Sequence, residues 1–267
     1  MAAYCSRCGE KRRDRSDWKL SKIAGETFAE ITDLEHSKLW QTMRLLVFKP
    51  GKLTHDYWSG RRKRFLGPVK LYLVFFALSL LLYSIHQPTA VYDVRTLAAA
   101  NPSGNLPRLL EQRANNRGVA TTQFAHEVTS RWQRYISMSQ LVYPFFVALA
   151  LKLLFLRRNL YFTQHLVFAL HLLAFTFLTF CLLWPLYFAL GIKPSFDHLT
   201  PGYLLLTAGS IVWMAVYLFL AVRRAFPERW LPAVLKSALV FLTYFATSMI
   251  FLSLTLALAV ALAARGP

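Results

Sequence analysis

Residues 49–85 read KPGKLTHDYWSGRRKRFLGPVKLYLVFFALSLLLYSI, and the change of character inside that stretch decides the fold. Up to Gly67 it is basic and broken by Pro50, Gly51, Gly60 and Gly67, which mark turns. From Pro68 it stays apolar for about the 20 residues that a helix needs to cross a bilayer core. Arg61, Arg62, Lys63 and Arg64 stand just ahead of that run. Lys and Arg beside a span are kept on the cytoplasmic side. The junction therefore predicts a membrane chain whose N-terminal part is cytoplasmic.

Composition supports a membrane chain. Of 267 residues, 55% are hydrophobic and 16% charged, where a soluble domain holds about 45–50% and about 25%. The apolar excess is gathered in five runs, at about 68–86, 135–156, 161–189, 203–222 and 233–263. These predict an all-α, polytopic transmembrane helical bundle of about five spans over residues 68–267, with an external loop at 87–134. A cytoplasmic, basic, amphipathic region fills residues 1–67. Pro144 is expected to kink the second run, which a bilayer tolerates. The fifth run is longer than one perpendicular crossing needs, so it should tilt. Its hydroxyls, among them Ser237, Thr243, Ser248 and Thr255, suit close helix packing.

Charge fixes the expected orientation. Residues 1–70 carry 16 Lys and Arg, the turn at Arg157 and Arg158 two, and Arg223, Arg224, Arg229 and Lys236 four more. Only eight fall on the other side, six of them in 87–134. Five spans with an internal N-terminus and an external C-terminus satisfy this count and the alternation of short loops. The polar N-terminal tens of residues predict that the first span itself directs insertion. The net charge of +18 could suggest a nucleic-acid binder, but no recognition motif accompanies it. The cations flank apolar runs, where anionic headgroups account for them. The bilayer and its anionic lipids are the expected partners, and no nucleic acid is.

Two features precede the junction. Cys5-Ser6-Arg7-Cys8-Gly9 has the form of one zinc knuckle, in which two thiolates hold a tetrahedral metal from a tight turn. Closure needs two further ligands, so three readings stand: zinc shared between two chains, a redox-active or unliganded pair, or a relic of a longer zinc ribbon. Residues 27–48 read as a helix opened by the capping-box pattern Thr32-Asp33-Leu34-Glu35. Trp40, Met43 and Val47 recur along it among Lys38, Arg44 and Lys49. Such a helix rests either on a membrane surface or on the protein's own cytoplasmic face. Tyr57 and Trp58 suit an interfacial aromatic belt.

The sequences YCSRCGE, TMRLLVFKPG, YWSGRR and FLGPVK, spread over roughly residues 4–75, together resemble bacterial inner-membrane proteins grouped as a domain of unknown function, number 3667. Members pair an N-terminal Cys knuckle with a Pro-Gly, Tyr-x-x-Gly-x-Arg and Pro pattern that leads into several spans. Many carry two Cys-x-x-Cys turns, and this chain shows one. The resemblance implies location in the bacterial inner membrane and no particular activity.

Few residues invite chemistry. His171 lies about ten residues into the third run, on the order of 15 Å deep at 1.5 Å per residue, where an ionisable group is expensive. It could bind a substrate, relay a proton or hold a metal; the plain alternative is a neutral ring bonded to a Ser or Thr of a neighbouring span. His165 and Lys152 are expected to reach the interface. All 13 acids lie outside the runs, and no hydrolase, protease or phosphate-loop motif occurs. An external site could use Asp93, Glu111, His126, Glu127, Asp197 and His198, although their spacing does not favour one.

The leading expectation is thus a non-catalytic membrane protein whose basic face binds a partner protein or anionic lipid. Arg61, Arg62, Lys63 and Arg64 would hold phosphates, and Cys5 and Cys8 would pin the tip through zinc shared between chains of a homo-oligomer. The alternative is a transporter or channel for a small or lipid-like substrate, with His171 and the hydroxyls of the last run on its path. An enzyme acting on a lipid or envelope substrate comes third.

Overall fold

The computed structural model describes residues 36–62, 64–86, 93–156, 158–192, 200–226 and 229–265. Cys5, Cys8, the sequence at 32–35, Lys63, Asp197 and His198 lie outside these. Among the described residues the secondary structure is entirely helical, in ten helices. They are α1 (His36–Phe48), α2 (Lys52–Trp58), α3 (Pro68–His86), α4 (Val94–Ala100), α5 (Asn105–Arg117), α6 (Thr121–Ser139), α7 (Tyr143–Leu154), α8 (Phe162–Ala189), α9 (Pro201–Ala225) and α10 (Trp230–Ala263).

Helices α3, α8, α9 and α10 are each long and apolar enough to cross a membrane. The pair α6 and α7 makes a fifth candidate, bent by 55° at its break. Pro144 explains the bend, because it has no N–H for the Gln140 carbonyl and its ring collides with that carbonyl in a continuous helix. The chain turns at Gln140–Val142 instead and restarts with Pro144 in the first turn of α7, where a missing N–H costs nothing. The protein is an all-α membrane protein of four to five spans.

The chain divides into two compact units: residues 1–79, 144–182 and 210–244, and residues 80–143, 183–209 and 245–267. In the first, α8 is central. Its residues 166–175 are buried on every side, as expected of a helix that is apolar all round. Phe175 stacks on Tyr217 of α9 at 3.4 Å between ring centres, and Phe177 meets Tyr72 and Phe76 of α3.

The second unit contains the short polar helices. Asp93 caps α4 by accepting from the Arg95 N–H, and Val94 N–H donates to Thr129 of α6. Gly118, at φ 65°, ends α5 in a left-handed cap with Val119 N–H on the Ala114 carbonyl. Val94, Leu110, Phe124, Val128 and Trp132 form a core that includes Ala259, Val260 and Ala263 from α10. These three short helices cannot enclose a core alone, so the end of a span completes it.

Candidate functional site

The basic junction folds as a hairpin against the first unit. Lys49, Pro50 and Gly51 turn the chain from α1 into α2, and Gly51 has φ 76°. A Cβ at Gly51 would stand 2.4 Å from the Ala221 carbonyl oxygen of α9. Only glycine permits both the left-handed backbone and that approach. Arg224 donates to the Pro50 carbonyl at 3.0 Å, fixing the same turn to the end of α9. At the far end of α2, Gly60 has φ 87°, Arg61 N–H donates to the Asp56 carbonyl and Gly60 N–H to that of Tyr57. This double bond pattern is a glycine C-cap, and the sequence WSGRR encodes it.

Inside this frame α2 buries Leu53, Thr54 and Asp56, while Lys52 and His55 stay partly exposed. Asp56 is 4% exposed and accepts from Lys52 at 3.0 Å and Arg61 at 2.7 Å. Arg62 donates from Nε to the Tyr57 carbonyl and lies over the Tyr57 ring at 4.3 Å. Two of the four cations expected to meet phosphate therefore also clasp α2. Arg64 is exposed.

His171 is buried, and its Nδ1 shares a hydrogen bond of 2.9 Å with the Thr54 hydroxyl. The partner is a threonine, as one reading of the sequence expected, yet it comes from α2 and not from a neighbouring span. Tyr57 meets the same imidazole edge-on at 6.4 Å, and Trp58 packs on Phe226 at 5.2 Å. Both aromatics are half-buried.

His165 is the residue that sequence reasoning misplaced. It is wholly buried and stacks with Phe155 and Phe226, while Lys152 donates to the Leu160 carbonyl. Both ring nitrogens of His165, Nε2 of His171 and Nε1 of Trp58 have no hydrogen-bond partner among the described residues. Proximity to the loop at 157–161 suggested an interfacial histidine; no pattern in the sequence announced that Phe155 and Phe226 would cover it.

Of the acids expected outside, Asp93 and Glu127 form two separate ion clusters and Glu111 is exposed. Burial opposes the charge of Asp93, but bonds from Arg95 and Thr129 outweigh it and hold the carboxyl below 3.8. Partial burial likewise opposes the charge of Glu127, and Arg117 and Arg131, at 2.8 Å and 2.9 Å, bring it below 4.5. Arg117 also donates to the Ala263 carbonyl, closing the end of α10. Both carboxylates are held in ion pairs, and no group of three metal-ligating side chains exists among the described residues.

A family model described as a protein of unknown function (DUF3667) matches residues 36–80. The matched segment runs from α1 through the hairpin and basic hinge into α3, and Cys5 and Cys8 lie outside it. No curated protein and no solved structure matches the chain.

Proposed function

We propose that this membrane protein is non-catalytic and that its basic junction holds the phosphates of anionic phospholipids on the cytoplasmic side. One observation carries the reading. Asp56 is the single acid among the described residues of the first unit, and Lys52 and Arg61 already neutralise it. Arg44, Lys49, Arg64, Arg223 and Arg229 are exposed in that unit, and among its described residues no second carboxylate is present to pair with them. Clustered cations next to spans attract anionic headgroups by about 1 kcal/mol each.

The grouping of loops supports the orientation. The first unit contains the junction and the turns near 158 and 226; the second contains the loop at 93–142, the turn near 191 and the C-terminal end. Each unit thus holds loops that the charge count assigns to one side. Cys5 and Cys8 would pin the tip of the basic region through zinc shared between two copies.

The test is the lipid retained by detergent-purified protein. Replacing Lys49, Arg64 and Arg223 by Gln is expected to reduce bound phosphatidylglycerol relative to phosphatidylcholine while the protein still purifies folded. Unchanged phosphatidylglycerol would overturn the reading.

A transport reading draws on the unpartnered nitrogens of His165 and His171. The hydroxyls of α10 give it little support: Ser237, Thr243 and Thr255 donate to carbonyls of their own helix. It predicts that His171→Ala abolishes flux of a substrate without loss of expression.

A further inference from the structure

Helix α1 is apolar on two sides. Thr42 and Leu46 are buried, and Thr42 Oγ1 accepts the Leu66 N–H at 3.1 Å, two residues before α3 begins. The outward side carries Trp40, 68% exposed, and Phe48, 76% exposed, with Met43 and Val47 half-buried beside them. At 3.6 residues per turn, Trp40, Arg44 and Phe48 fall within an arc of about 80°. Single exposed apolar residues are ordinary on a protein surface; two large aromatics on one arc of one short helix, with a cation between them, form the amphipathic pattern of an interfacial helix.

The position of α1 identifies what covers that arc. The Thr42–Leu66 bond holds the helix beside the start of the α3 span. Its C-terminal end leads into the turn that Arg224 grips at the end of α9, another spanning helix. Both attachments lie where apolar spans give way to cations, so α1 is held at the level of the headgroups. Arg44 on the arc and Lys49 after it have the sign that phosphates require.

We propose that the outward arc of α1 is inserted into the headgroup and glycerol layer of the bilayer that α3 spans, with Trp40 and Phe48 as its apolar anchors and phospholipid as the occupant. The inference rests on the lipid-binding reading above and adds apolar insertion, which needs no anionic headgroup. Aromatic side chains favour this layer because an apolar ring and a polar edge are both satisfied there.

The test places a photo-crosslinking residue in the full chain as Phe48→p-benzoylphenylalanine and, separately, Trp40→p-benzoylphenylalanine. Each variant is reconstituted in vesicles of phosphatidylcholine alone and of phosphatidylcholine with phosphatidylglycerol. Arg113→p-benzoylphenylalanine, on the polar helix α5, measures background. After irradiation, lipid adducts at positions 40 and 48 are expected several-fold above that background in both vesicles. Adducts to a second copy or to another protein, adducts confined to the anionic vesicles, or background yields at both positions overturn the inference. Background yields with retained preference for phosphatidylglycerol sink apolar insertion alone. Strong lipid adducts without that preference sink the anionic-lipid reading alone.

Discussion

At the residue scale, glycine and threonine in the junction have separable roles. Gly51 and Gly60 both adopt positive φ, but a Cβ at Gly51 would meet the Ala221 backbone, whereas at Gly60 it would meet nothing within 4 Å. Gly60→Ala should therefore cost only the backbone strain, about 1–2 kcal/mol. Gly51→Ala adds overpacking of about 1–3 kcal/mol, since the obstacle is main chain that cannot rotate away. Thermal unfolding in detergent should rank the wild type above Gly60→Ala and both above Gly51→Ala; equal losses would refute the close approach.

Thr54 and His171 make a second residue-scale case. Thr54→Val removes the hydroxyl and leaves Nδ1 buried without a partner, an expected loss of about 1–3 kcal/mol. Combining it with His171→Leu removes both polar groups, so the double variant should lose less than the two single losses added together. A double-mutant cycle by thermal unfolding checks this. Strict additivity would mean that the two side chains do not interact.

At the scale of elements, the short helices of the second unit depend on carboxylates whose pKa values are lowered. Such groups stabilise the folded state above their unfolded values, near 3.8 for Asp93 and 4.5 for Glu127, and that stabilisation is lost as pH falls through their folded values. Acid should therefore loosen α4–α6 first. Hydrogen exchange measured from pH 6 down to pH 3 on the reconstituted protein, corrected for the intrinsic rate, should show protection falling in 93–139. Protection there should hold at lower pH with the charges intact than in Asp93→Asn, which lacks the Arg95 pair throughout. Protection independent of pH in both proteins would contradict the role of these ion pairs.

Much at this scale was readable in the sequence. The spans, the turn at Gly60 and the effect of Pro144 are local matters: hydropathy, φ preference and a missing N–H act within one turn of chain. The role of α2 was not readable in the same way. Seven residues with Lys52, His55 and Asp56 look like a solvated linker, yet Leu53, Thr54 and Asp56 are buried. Burial of Asp56 requires Lys52 and Arg61 to close on it at once, which only the folded hairpin arranges.

For the whole molecule, orientation and assembly are the properties to test. With an internal N-terminus and five spans, a periplasm-dependent alkaline phosphatase fused after residue 265 in a bacterial host should be active, and one fused after residue 226 inactive. The reverse pattern would invert the proposed side for the basic junction. If Cys5 and Cys8 share a metal between copies, purified protein should contain about half a zinc per chain, because tetrahedral closure needs four ligands. Cys5→Ser and Cys8→Ser should each release it. Absence of zinc from an otherwise intact oligomer would remove that link.

By itself the sequence determined the all-α membrane class, the approximate spans and the concentration of cations at the junction. Each follows from a property summed along contiguous residues, namely the cost of placing backbone and charge in hydrocarbon. Tertiary structure alone decided that Thr54 bonds His171 across 117 residues, that His165 is sealed by Phe155 and Phe226, and that Arg61 is tied to Asp56. It also decided that Trp40 and Phe48 turn outward while Thr42 faces the start of α3. Those choices depend on the rotation and register with which distant helices pack, and helical periodicity shows which residues share a face without showing what that face will meet.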